Sequence, residues 1–323
     1  MAERLPTIPF ELQPRQKNLG FDLDRALAGI VSVKALAPED AFTAKSLGTE
    51  RLGHGIVIRQ SGLVLTVGYL IIEAQEVWLR TIDGRVIAGH ALAYDQETGF
   101  GLVQAMSSLD LPVLPFGSSR EVAPGDSLII AGSGGREGTL QAHCVARQPF
   151  AGYWEYWISD AIMSAPAHPF WGGAAAIDEH GRLAGVASLQ VEAGDGKQSQ
   201  SLNMVIPIDL LPPVLDDLVK YGRPNKPPRP WLGIYATEIG DRIVIAGVAD
   251  DGPAEQAGVE VGDILLAVAG EKPGSLGEVW RRVWAEGPAG VEIPLMVERQ
   301  DRILEIRVKS ADRLLFTRAK VVH

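Results

Sequence analysis

Between Leu27 and Pro207 the chain is cut into short apolar runs, among them IVSVKAL, GIVIR, LVLTV, EVWLR, LVQAM, SLIIAG, YWEYWI and LAGVASL, each closed by turn residues. Runs of this length suit a strand and are too short for an ordinary helix. Asp83-Gly84 and the turn from Asp178 to Gly181 are hairpin signals. Strands at such regular spacing predict an all-β barrel or sandwich, and about 180 residues are more than one small barrel needs. Two packed barrels are therefore expected. The composition agrees: Gly 36 and Pro 21 against 7% aromatics suit many turns rather than a helical bundle.

From Ile208 to Tyr221 the period changes. Leu211, Val214, Leu215 and Leu218 recur at helical spacing, with Pro212 and Pro213 suited to a first turn and Gly222 to the stop. The following GRPNKPPRP is proline-dense and basic, the composition of an extended linker. Beyond it, WLGIY, RIVIAGV, DILLAVAG, VEIPLMVE and RILEIRV alternate with helix candidates at Pro253 to Ala257 and Ser275 to Glu286. The expected division is an arm over 1–26, a β region over 27–221, a linker over 222–230, an α+β module over 231–313 and a tail over 314–323.

A formal net charge of -10 on 323 residues argues against a phosphate-held nucleic-acid binder. No run approaches the ~18 apolar residues of a membrane span. Cys144 is the single cysteine, so no intramolecular disulfide and no cysteine-rich zinc site is expected. The six histidines show no short ligand spacing, and neither a metal nor a cofactor is expected. The segment MAERLPTIPFELQPRQKNLGFDLDRALAG lacks the apolar run of a secretory leader, which sets a cytoplasmic expectation.

WLGI at 231–234, DDGPAEQAGVEVGDILLAVAGEKP at 250–273 and the helix and strand that follow resemble the PDZ domain of HtrA/Deg-type proteases. The resemblance implies binding of peptide or protein C-termini by strand addition at a sheet edge. Backbone N–H groups at Leu232, Gly233 and Ile234 would cradle the carboxylate, and Val279 and Val283 would face the groove. Trp231, Trp280 and Trp284 are placed either to line that groove or to close it.

Residues 27–221 resemble the protease domain of the same family, in GHGIVIRQSGLVLTVGYLI, AYDQETGFGLVQA, SLIIAGSGG, SDAIMSAPAHPFWGGAAAIDEHGRLAGVAS and NMVIPIDLL. The fold so implied is mainly β, a trypsin-like double β-barrel followed by a small α+β PDZ domain. A serine protease needs a hydroxyl nucleophile, an imidazole base and a carboxylate that orients it. The family's imidazole position falls on Tyr69, its carboxylate on Gly99 and its nucleophile on Trp171. The residue two before the nucleophile supplies an oxyanion-hole N–H in the family, and here it is Pro169, which has none.

The expectation from these four positions is a protein that is not an enzyme, a pseudoprotease acting by peptide or protein binding as adaptor, chaperone-like holder or regulator. The alternative is a serine-type hydrolase with a rearranged site drawn from Ser164, His168, Asp160 and Ser133. A purely structural subunit would instead have a PDZ groove filled by its own residues. The resemblance also implies a possible trimer built through the N-terminal arm.

Overall fold

The computed structural model describes residues 7–194 and 199–317. The first residues of the arm and the last of the tail lie outside the described residues. Two compact units emerge, one running up to Gln148 and resuming over Asp160–Pro224, the other combining Pro149–Ser159 with residues 225–317.

In the first unit, β1 (Ile30–Leu36), β2 (Glu50–Arg59), β3 (Leu63–Val67), β4 (Glu76–Arg80), β5 (Val86–Tyr94) and β6 (Phe100–Ala105) close a barrel in the order β1-β2-β3-β6-β5-β4. All five residues of β3 are buried, four of them apolar and the fifth Thr66, whose hydroxyl donates to His54 O at 2.6 Å. β4, reading EVWLR, instead alternates exposed and buried. Gly55 on β2 is required by packing: a Cβ there would lie 2.5 Å from Val64 Cγ1 of β3.

A second closed barrel joins β7 (Ser127–Ala131), β8 (Thr139–Gly152), β9 (Tyr156–Ala165), β10 (Ala175–Ile177), β11 (Leu183–Ala193) and β12 (Gln200–Pro207) in the order β10-β11-β12-β9-β8-β7. Closure leaves neither barrel an open edge. Leu128, Ile130, Ala142, Cys144, Ile162, Ala184 and Val205 fill its centre. The turn-side ends of β8 and β9 group with the second unit. The arm is docked in the first unit: Ile8 is buried and donates its N–H to Glu137 O, and Asp24 forms a two-point ion pair with Arg136.

The helix expected from Ile208 starts later, at Pro212, and runs to Tyr221 after a 3-10 turn over Ile208–Leu210. Two prolines in its first turn lack only N–H groups that a helix start leaves unpaired. Gly222, at φ 75°, ends it.

In the second unit, β13 (Ile234–Ile239), β14 (Arg242–Val248), β15 (Ile264–Val268), β16 (Glu292–Arg299) and β17 (Arg302–Lys309) form one antiparallel sheet in sequence order. The helix Leu276–Ala285 starts at Ser275, whose side chain accepts the Glu278 N–H. It buries Leu276, Val279, Trp280 and Val283 against Leu232, Ile234, Ile245, Leu265 and Leu295. A mainly β double barrel followed by a small α+β module is the architecture expected from the sequence.

Candidate functional site

The four protease-like positions lie in the first unit. β3 runs into a short helix, Gly68–Ile71, that carries Tyr69. The Tyr69 hydroxyl donates to Ser188 O at 2.7 Å, and enclosure of the phenol pushes its pKa above the ordinary tyrosine value. Gly99 stands in the turn before β6 at φ 84°, its N–H bonded to Asp95 O and its carbonyl accepting from Gly68 N–H. The Asp95 carboxylate is spent on this turn, accepting from Thr98 Oγ1 at 2.7 Å. Trp171, half-buried, packs against the core of the second barrel. Pro169 is exposed.

Gly172 and Gly173 hold this segment against β2. The His54 N–H donates to Gly172 O at 2.8 Å, and a Cβ on Gly173, at φ 82°, would stand 2.1 Å from His54 O. The glycine pair thus serves backbone approach, independently of the residue before it.

Of the rearranged-site candidates, Ser164, His168 and Asp160 do not assemble. Ser164 is fully buried, and among the described residues its Oγ has no hydrogen-bond partner. His168 is held by backbone, with Nε2 3.0 Å from Gly138 O and Nδ1 accepting the Phe170 N–H at 3.1 Å. Asp160 pairs with Arg147. Ser133 does reach an imidazole, that of His54: its Oγ lies 3.1 Å from Nδ1, and its own N–H donates to the same nitrogen at 3.0 Å. His54 Nε2 therefore carries the proton and faces Phe170 O at 2.9 Å. Burial, with His168 nearby, pushes the His54 pKa down to about 3, so the ring is neutral at pH 7.

In the second unit, Leu232, Gly233 and Ile234 are brought together as a cradle of three N–H groups. Gly233 adopts φ 79°, which turns successive N–H groups to one side. The cradle is filled by the Glu155 carboxylate. Gly233 N–H and Ile234 N–H donate to Oε1 at 2.7 and 3.0 Å, and Leu232 N–H reaches both oxygens at 3.2 and 3.1 Å. Two residues further along β13, the Ala236 N–H donates to Tyr153 O at 2.9 Å. Val279 and Val283 are buried in the module's core. Trp280 donates Nε1–H to Gly152 O at 2.9 Å, and Trp284 stacks under the Arg229 guanidinium. Glu155 is absent from the residues singled out in the sequence. Its one visible signal is a lone acid among Tyr153, Trp154, Tyr156 and Trp157.

Among the described residues no cluster of His, Cys, Asp or Glu gathers as a metal site, and no helix is long and apolar enough to cross a membrane.

Residues 53–186 match the trypsin-like peptidase domain, and residues 230–310 match the PDZ domain. The chain is 26% identical to the serine endoprotease DegS of Escherichia coli over 276 residues, covering 80% of this chain and 76% of that one. It is 26% identical to a probable periplasmic serine endoprotease, DegP-like, of Pseudomonas fluorescens, over 69% of this chain and 48% of that one. The HtrA-type protease AlgW, solved with a tripeptide, superposes with a TM-score of 0.52 at 20% identity, covering 90% of this chain and 95% of that one. A serine endoprotease from Yersinia pestis gives 0.53 at 24%, covering 89% and 95%.

Two expectations are corrected by these matches. The expectation that the chain is not an enzyme is overturned by relatives named serine endoproteases over most of its length. That expectation rests on the four positions above; of the alternative's candidates, Ser133 is the one in contact with an imidazole, that of His54. The cytoplasmic expectation is overturned by relatives named periplasmic; it rested on one apolar run not found, which does not fix a compartment. The chain thus carries a trypsin-like peptidase domain over residues 53–186 followed by a PDZ domain over residues 230–310, and it shares its fold with solved HtrA-type proteases.

Proposed function

We propose that this protein is a serine-type endopeptidase with a rearranged catalytic site, working outside the cytoplasm on polypeptides that its PDZ module also binds. The observation that carries this reading is the Ser133–His54 contact, a hydroxyl within hydrogen-bond reach of a neutral imidazole nitrogen. Tyr69, Gly99 and Trp171 supply neither nucleophile nor base, and Pro169 supplies no oxyanion donor, so chemistry on this fold has to use other groups. As Ser133 Oγ bonds to a peptide carbonyl carbon, its proton passes to His54 Nδ1. The imidazolium then gives that proton to the departing amine, and water releases the acyl group from Ser133.

An imidazole with a pKa of about 3 is a weak base, and its Nδ1 is already shared with the Ser133 N–H. Turnover is accordingly expected far below that of a triad whose base titrates near the working pH. Support for peptide binding comes from the cradle at Leu232, Gly233 and Ile234, with Val279 and Val283 on the neighbouring helix, a constellation suited to a chain end. Through it the protein would also serve as an adaptor or holder of unfolded chains.

The test is to incubate the purified protein with casein and with a fluorophosphonate probe. Slow labelling that survives in Ser164→Ala and is lost in Ser133→Ala is the expected result. Labelling that is absent, or unchanged in Ser133→Ala, removes the serine-hydrolase reading.

A further inference from the structure

A ligand that adds a strand to a PDZ edge brings two things: a carboxylate for the N–H cradle and an extended backbone that pairs with the edge strand. Residues Tyr153 to Glu155 bring both. The Glu155 carboxylate meets all three N–H groups of the cradle. Two residues earlier, Tyr153 O accepts the Ala236 N–H of β13. The rest of the hairpin is fastened beside them. Gly152 O accepts from Trp280 on the helix, and Ala151 and Trp157 pack against the module's core. Gly277 makes room for this, since a Cβ there would stand 2.9 Å from Trp157 Nε1.

Local turn chemistry does not explain a glutamate at this place. Glu155 has φ 60°, a conformation in which glycine, asparagine and aspartate are the common residues. It is also 3% exposed, although glutamate is almost never so buried without partners. The partners it has are the cradle.

We propose that Pro149–Ser159 is a tethered ligand of the PDZ module, in which Tyr153–Trp154–Glu155 imitates a C-terminal tripeptide and the Glu155 side chain stands for the terminal carboxylate. External chain ends then bind only by displacing it. The proposal rests on the peptide-binding reading above and adds a built-in competitor to it.

The experiment uses the full chain and a fluorescein-labelled decapeptide ending in valine with a free carboxylate. Glu155→Ala is expected to bind the decapeptide at least ten-fold more tightly than wild type. Glu155→Gln, which keeps the side-chain volume and the oxygen that accepts from all three N–H groups, is measured beside it and is expected to stay within a few-fold of wild type. Hydrogen exchange is followed without peptide. The amides of Leu232, Gly233, Ile234 and Ala236 should exchange at least ten-fold faster in Glu155→Ala, while those of β16 stay unchanged and report an intact fold. Equal affinity in all three proteins together with unchanged exchange overturns the tether and leaves the peptide-binding reading standing. Faster exchange with no peptide bound by any protein upholds the tether and overturns that reading.

Discussion

Burial and hydrogen bonding act in opposite directions on the Glu155 carboxyl. Burial raises its pKa, while the three backbone N–H groups and the positive field of Arg313 lower it; burial prevails and the pKa rises to about 7. Tyr235, whose own pKa is raised by burial, and Asp250 share this neighbourhood. A glutamate free in solution titrates near 4.5. The docked form thus holds its proton to higher pH than the undocked form, so docking is fully supported below pH 4.5 and weakens as pH rises from there through about 7. A shift of this size corresponds to roughly 3 kcal/mol. Amide exchange at residues 232–236, corrected for its intrinsic pH dependence, should be slower at pH 5.5 than at pH 7.5; the reverse order would contradict the assignment. The cradle residues were legible in sequence because WLGI is a local pattern. Their occupant was not: Glu155 lies more than seventy residues upstream, and nothing in YWEYWI distinguishes an acid aimed at a distant loop from one facing water. The same limit hid His54, whose serine partner is equally remote in sequence.

At the scale of elements, legibility followed locality. The helix Leu276–Ala285 announces itself through Ser275 and its apolar spacing, and β3 through a short β-branched and leucine-rich run. Sequence periodicity starts the helix at Pro212 four residues early because the apolar period continues through the preceding 3-10 turn, and periodicity cannot separate the two. Contacts between elements were the unreadable part. The glycine pair after Trp171 was visible as a motif, but its physical demand, a backbone crossing over β2, emerges only in three dimensions. Substituting Gly173→Ala tests that demand. A Cβ 2.1 Å from His54 O, at a positive φ, forces β2 and this loop apart. A loss of about 2 kcal/mol or more of unfolding free energy is expected, read by chemical denaturation. A loss within ~0.5 kcal/mol, the range of ordinary surface changes, would mean that the crossing is easily relaxed.

For the molecule as a whole, the proline-rich segment over 222–230 is proposed as an exposed joint between the two units, the chain also passing between them at Gln148–Pro149 and Ser159–Asp160. Its far end is held by the PDZ module, with Pro228 O accepting from Ala289 N–H and Arg229 over Trp284. Cleavage should therefore begin before Pro228. A protease of broad specificity is needed, since prolines follow Arg223 and Lys226. First cuts between Tyr221 and Lys226 are expected in limited proteolysis followed by mass spectrometry; first cuts inside either barrel would count against the joint.

A ligand carried on the same chain as its receptor does not dilute. Its effective concentration is set by the tether, roughly millimolar for a short one, whether the protein is scarce or abundant. With Glu155 in the cradle, the PDZ module therefore has a threshold: sparse chain ends leave it shut, and only a load that outcompetes the tether opens it. The level at which it responds is written into the hairpin rather than into the amount of protein made, and a single substitution at residue 155 would reset it.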